Sequence, residues 1–199
     1  MKKELEGVKI GYCLTGSFCT FSKTVPQIKR LVEMGADVTP IMSQNAYSWD
    51  TKFGPAEKWK KEIKEITGKD EIIHTVVGAE PIGPGGTQDI IVVAPTTGNT
   101  ITALANGLTN GPVPMACKAQ WRNNKPVVIA ISTNDGLGAC GKNISKLHDK
   151  ELTYIVPYGQ DNPHNKEDSL VAHFEYIPDT IISALDGRQF QPVLIPHVY

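Results

Sequence analysis

The sequence predicts an α/β fold with a mainly parallel, six-stranded sheet covered by helices on both faces. Three observations carry this. Strand-length apolar runs alternate with longer stretches of helical periodicity, the order that builds parallel β-α-β units. The run Ile90–Ala94 is continuously apolar, as a strand buried on both faces must be. A length of 199 residues, 40% hydrophobic and 21% charged, suits a single soluble domain with a sizeable core.

The elements follow in order. Val8–Thr15 is apolar and runs into Gly16-Ser17, giving a first strand. Thr24–Met34 places Val25, Ile28, Leu31 and Val32 on one helical face, and Gly35 stops it. Asp37–Met42 is a second strand. Pro55–Thr67 is a solvent-facing helix with Trp59, Ile63 and Ile66 on its inner side. Glu71–Val77 is a short third strand, and the Pro/Gly-rich stretch Ala79–Thr87 a loop. Ile90–Ala94 is the fourth strand; Ile101, Leu104 and Ala105 then recur at helical spacing until Asn106-Gly107 ends the helix. Pro112–Asn124 is helical, with proline in its first turn. Pro126–Ser132 is the fifth strand, Leu137–Lys150 a helix despite Gly138 and Gly141, and Leu152–Pro157 the sixth strand. Tyr158–Glu167 reads as a polar loop and Ser169–Leu185 as a last helix interrupted at Pro178. The single domain spans 1–199, with an extended tail from about residue 188, where Pro192 and Pro196 bar a helix.

In such sheets ligands bind outside the carboxyl ends of the strands. Four segments have that address: Thr15–Cys19, Met42–Tyr47, Thr96–Thr100 and Ser132–Gly138. In the third, Pro95 breaks a strand into hydroxyls, an amide and the free N–H groups of a helix N-terminus, a place to hold an anion such as phosphate. The same pattern also suits an ordinary turn with a Thr N-cap. Thr15-Gly16-Ser17 lets backbone approach a ligand closely, or is a tight turn that needs glycine. Gly83-Pro84-Gly85-Gly86 follows no apolar strand and reads as a flexible loop.

Other chemistries lack their signatures. Neither the G-x-G-x-x-G fingerprint nor the G-x-x-x-x-G-K-[ST] loop occurs, so a standard NAD or ATP site is not expected on this chain. A net charge of -1 argues against nucleic acid or an anionic membrane surface as a partner. No apolar run nears bilayer length, and residues 1–7 carry charge without the apolar core of a signal peptide. Cys13, Cys19, Cys117 and Cys140 form no Cys-x-x-Cys pair or zinc-like cluster, so no metal is expected and a reduced, cytoplasmic chain is. The five histidines are scattered, and no catalytic residue is assigned.

At Gly11–Ser17, Ala94–Asn106 and Pro126–Thr133 the chain resembles the flavoprotein family that includes flavin-dependent cysteine decarboxylases and flavin prenyltransferases. The family's Pro-Ala-Ser-Ala-Asn-Thr type segment stands here as Pro95-Thr96-Thr97-Gly98-Asn99-Thr100, its first-strand loop as Thr15-Gly16-Ser17, and its serine after strand two as Ser43. The resemblance implies a three-layer αβα Rossmann-like sandwich. It implies an FMN site at Gly16, Ser17, Phe18, Ser43, Pro95, Thr96, Thr97, Asn99, Thr100, Ser132 and Thr133.

Further segments match in register over nearly the whole chain: Pro26-Gln27-Ile28, residues 79–84, Arg122-Asn123-Asn124, residues 131–135 and Pro157–Asp161. They resemble the branch whose members serve as the second component of a two-component synthase of an aromatic pyridine dicarboxylate. That implies NADP on a dehydrogenase partner, a small dicarboxylate substrate, and assembly into homo-oligomers. The decarboxylase pattern is broken: its catalytic His would fall near Glu80-Pro81, and Ser132-Thr133-Asn134-Asp135 replaces its Pro-x-Met-Asn segment. For the substrate's carboxylates, Lys118, Arg122 and Lys142 are the candidate cations, Lys142 foremost.

Overall fold

The computed structural model describes residues 4–197; the first three residues of the charged N-terminal segment and the last two of the tail lie outside them. Strand β1 (Lys9–Leu14) is buried throughout except at Lys9. A 3-10 turn, Phe18–Thr20, then leads into helix α1 (Phe21–Glu33), one turn earlier than the apolar spacing suggested, with Phe21 joining Val25, Ile28 and Leu31 on the buried face. Strand β2 (Asp37–Met42) is followed by a one-turn helix, α2 (Gln44–Ser48), and by α3 (Ala56–Thr67), which buries Trp59 and Ile63 and stops on the left-handed Gly68.

The expected third strand, Glu71–Val77, is replaced by other structure. Ile73 makes an isolated bridge to Ile41, and Thr75 caps a short helix, α4 (Val76–Ala79), by accepting from Gly78 N. A single turn, α5 (Ile82–Gly85), replaces the expected loop. It is held in place by Asn123 Nδ2 on Gly83 O (2.8 Å) and by Lys125 Nζ on Gly86 O (2.7 Å).

Strands β3 (Ile90–Thr96) and β4 (Val127–Thr133) are buried at every position and form the centre of the sheet. Between them lie α6 (Gly98–Ala105) and α7 (Pro112–Arg122). Helix α8 (Gly141–His148) is shorter than the expected 137–150, because residues 134–140, Gly138 among them, form the turns that precede it. Strand β5 (Thr153–Ile155) matches the expected sixth strand.

The chain departs furthest from expectation after β5. Tyr158–Glu167, read as a loop, and Ser169 onward, read as helix, form an antiparallel hairpin of β6 (Tyr158–Asn162) and β7 (Lys166–Ala172). Helix α9 (Ile177–Leu185) begins only afterwards, with Pro178 in its first turn instead of interrupting it.

Among the described residues the sheet is therefore seven-stranded and mixed, not six-stranded and mainly parallel. Its order is β2-β1-β3-β4-β7-β6, with β5 also on β4. The free edge of β4 is divided: Val127–Ile129 pairs in parallel with β5, whereas Ser132 and Thr133 pair antiparallel with β7. That division brings the hairpin to the carboxyl end of β4, where the ligand address lies. Helices α1, α3 and α9 pack as one group on the sheet, and α4 to α8 as another. Among the described residues no helix is long and apolar enough to cross a membrane.

Candidate functional site

The carboxyl ends of β1, β3 and β4 meet around one hydroxyl-rich junction. Thr15, just past β1, donates its Oγ1 proton to Pro95 O (2.7 Å) and accepts from Thr97 N (3.0 Å), which locks the first loop to the third. Ser17 Oγ lies 2.8 Å from Ser132 Oγ, which joins the first loop to the end of β4. Thr97 caps α6: its Oγ1 accepts from Thr100 N (3.4 Å) and sits 3.1 Å from Thr100 Oγ1. The first-turn amides of Gly98 and Asn99 have no intrahelical acceptor. No Cβ fits comfortably at position 98, for it would lie 2.9 Å from Thr133 Oγ1 and 3.0 Å from Asp135 Oδ1.

Two adjoining cavities open here. The larger, about 540 Å³, is lined by the first loop from Gly16 to Thr20, Lys23, Phe53, Thr97, Gly98, Ser132, Thr133, Asn134 and one wall of the hairpin, including Asp161, Lys166 and Ser169–Val171. The smaller, about 300 Å³, lies beyond Thr97 and Gly98 and is walled by Asn99, Thr102, Asp135 and Cys140. Asp135 Oδ1 accepts from Thr133 Oγ1 at 2.5 Å. Burial raises the Cys140 thiol pKa, and the Asp135 carboxylate adds to the effect, so the thiol stays protonated. Lys166 donates to Asp161 Oδ2 at 2.6 Å, and this contact raises the ammonium pKa.

The sequence-derived residues divide into three sets. Gly16, Ser17, Phe18, Thr97, Ser132 and Thr133 line the larger cavity, and Asn99 the smaller. Pro95, Thr96 and Thr100 are buried in the scaffold behind it; Thr96, fully buried, spends its hydroxyl on Val93 O at 2.7 Å. Ser43 lines neither cavity and caps α2, accepting from Ala46 N at 3.3 Å. Lys118, Arg122 and Lys142 also line neither; Lys118 and Arg122 border a separate hollow beside Glu80 and Gly83. The cations at the larger cavity are Lys23 and Lys166 instead. Sequence reasoning missed both, because Lys166 reaches the site only through the hairpin and Lys23 carries no motif. His74, the histidine nearest in sequence to the lost decarboxylase position, stacks on Tyr47 with ring centroids 3.8 Å apart and lines neither cavity. Among the described residues no cluster of three or more His, Cys, Asp or Glu could hold a metal.

The family model "Flavoprotein" matches residues 1–187. The chain belongs to the flavoprotein family. Within that family it is 46% identical over 191 residues, 96% of this chain and 95% of the relative, to the B subunit of dipicolinate synthase of Bacillus subtilis. The crystal structure of the dipicolinate synthase B subunit from Bacillus halodurans superposes with a TM-score of 0.89 at 48% identity, covering 98% of this chain and 99% of that one. The FMN-dependent cysteine decarboxylase SpaF superposes at a TM-score of 0.65 with 18% identity, over 90% of this chain and 96% of that one, a likeness of fold alone.

Proposed function

We propose that this chain is the B-type subunit of a dipicolinate synthase and works with a dehydrogenase, the A-type subunit of the same synthase. Together they convert a dihydrodipicolinate-type precursor into pyridine-2,6-dicarboxylate. One observation carries the reading: identity of 46% extends over nearly the full length of both this chain and the Bacillus subtilis relative. Aromatisation removes one hydride and one proton from the ring. NADP on the partner is the hydride acceptor, which suits a chain without a dinucleotide fingerprint. This chain's share is to seat the substrate, orient its ring and exclude water.

The cavities also fit FMN or a related anion. Phosphate would take the amides of Gly98 and Asn99 and the hydroxyls of Thr97 and Ser17, and the flat ring would lie toward Phe18, Phe53 and Leu170. Bound there, flavin would supply a two-electron acceptor. A second reading is favoured by Asp135, whose carboxylate faces Gly98 at the same helix N-terminus and competes with an anion. On that reading the pocket holds no flavin and the chain completes the partner's site as a scaffold. An FMN-dependent decarboxylase is disfavoured, because His74 stands outside both cavities. Assembly with copies of itself is part of the proposal, carried by the likeness to the dipicolinate synthase B subunits.

The two proteins purified together should form dipicolinate and reduce NADP, and the dehydrogenase alone should not. Full activity without this chain would sink the proposal. The visible spectrum of the purified chain, alone and with FMN, separates the two readings. Asp135→Asn, which keeps an acceptor for Thr133 but removes the charge, should tighten FMN or phosphate binding about tenfold. Unchanged affinity, with no flavin spectrum in either protein, would leave the scaffold reading standing.

A further inference from the structure

The larger cavity has features that a phosphate site does not use. Its two cations come from different elements, Lys23 from the first turn of α1 and Lys166 from the start of β7. The same cavity is lined by apolar side chains, Phe18, Phe53 and Leu170, suited to a flat ring. The carboxylate on the lining, Asp161, is not free to repel an anion, since it is held by Lys166 at 2.6 Å. Two cations and an apolar lining on one cavity complement a planar ring that carries two carboxylates.

We propose that Lys23 and Lys166 are the specificity-determining residues that hold the two carboxylates of the substrate, with Asp161 as the resting counter-ion of Lys166. This rests on the dipicolinate reading above, taken with no flavin in the cavity, and deepens it. Binding adds a partner to Lys166: the ammonium keeps Asp161 and also donates to a substrate carboxylate. Lys23, for which no ion pair is seen among the described residues, shares its charge with no such partner. A monocarboxylate can satisfy only one of the two cations, so the pair discriminates by charge number as well as shape. Both lysines are exposed, and neither supports the core, so their loss should spare folding.

The test uses the two-component complex, with pyridine-2,6-dicarboxylate and pyridine-2-carboxylate as binding probes. The wild-type complex should prefer the dicarboxylate. Lys23→Gln and Lys166→Gln should each raise KM about tenfold, with kcat little changed, and erase that preference. Lys166→Arg should restore most of it, and Asp161→Asn should tighten binding by releasing Lys166. Melting curves and association with the dehydrogenase should match wild type. A wild-type complex that makes no dipicolinate overturns the functional reading. An active wild-type complex whose Lys→Gln variants keep wild-type KM and preference overturns the assignment alone.

Discussion

Gly98 shows how tightly the site is drawn at single positions. A methyl group there would press on Thr133 Oγ1 and Asp135 Oδ1, both ends of side chains and so able to yield by a few tenths of an ångström. Gly98→Ala should therefore cost only about 1 kcal/mol, the low end for overpacking. Phosphate should raise the melting temperature of the wild type, and Gly98→Ala should abolish that rise, because the methyl occupies the approach to the helix amides. A retained phosphate effect would place the anion elsewhere. Tyr12 tests the scaffold beneath. Its buried hydroxyl lies 2.6 Å from Thr24 Oγ1, which also donates to Ala94 O at 3.2 Å, so α1 is tied to the strand that precedes the site. Burial pushes the phenol pKa far up, so the group acts only as a neutral hydrogen-bonding partner. Tyr12→Phe removes the hydroxyl's contacts to Thr24 Oγ1 and to Thr24 O (3.3 Å) and leaves Thr24 its bond to Ala94 O, for a loss of about 1 kcal/mol by denaturant unfolding. A loss of roughly 3 kcal/mol or more would mean the junction depends on that hydroxyl.

Among elements, legibility tracked burial. Ile90–Ala94 and Pro126–Ser132 read as strands because both faces are covered and nearly every position is apolar. The hairpin escaped the sequence reading for the opposite reason. Lys166–Asp168 is exposed, and beyond the buried Tyr158 the rest of β6, residues 159–162, is only half buried and polar, so neither strand shows clean alternation. Its pairing partners, Ser132 and Thr133, are distant in sequence, and only tertiary contact reveals them. The site inherits this division. The hydroxyl loops were visible as strand ends, whereas Asp161 and Lys166 reach the cavity only through the hairpin. Gly159 offers a test of that hairpin. A Cβ there would collide with the backbone oxygen of Ile195, which cannot rotate away as a side chain can. Gly159→Ala should push residues 193–195 off the β6 edge. It should show as new protease cleavage in the tail and a melting temperature several degrees lower; a protected tail would mean the contact is loose.

At the scale of the whole molecule, the mixed end of the seven-stranded sheet has to be closed. An exposed strand edge invites pairing with other chains unless something covers it. The tail supplies cover at two places. Gln189 binds Ile155 with both ends of its amide, accepting from N at 2.8 Å and donating to O at 2.7 Å, which satisfies β5 on the side away from β4. Tyr158 N then donates to Val193 O, and Ile195 N to Tyr158 O, each at 2.9 Å, so the tail runs beside the start of β6. Phe190 packs on Tyr176 with ring centroids 5.7 Å apart, anchoring the crossing between them. A chain ended at Gly187 would leave those backbone groups to water and expose β6, the strand that carries Asp161. It should melt several degrees lower, aggregate on warming, and bind pyridine-2,6-dicarboxylate less tightly because the hairpin wall loses its backing. The three effects should appear together, since one strap supports all of them. A truncated chain that stays monodisperse and binds as wild type would show that β4 and β7 hold the wall without the tail.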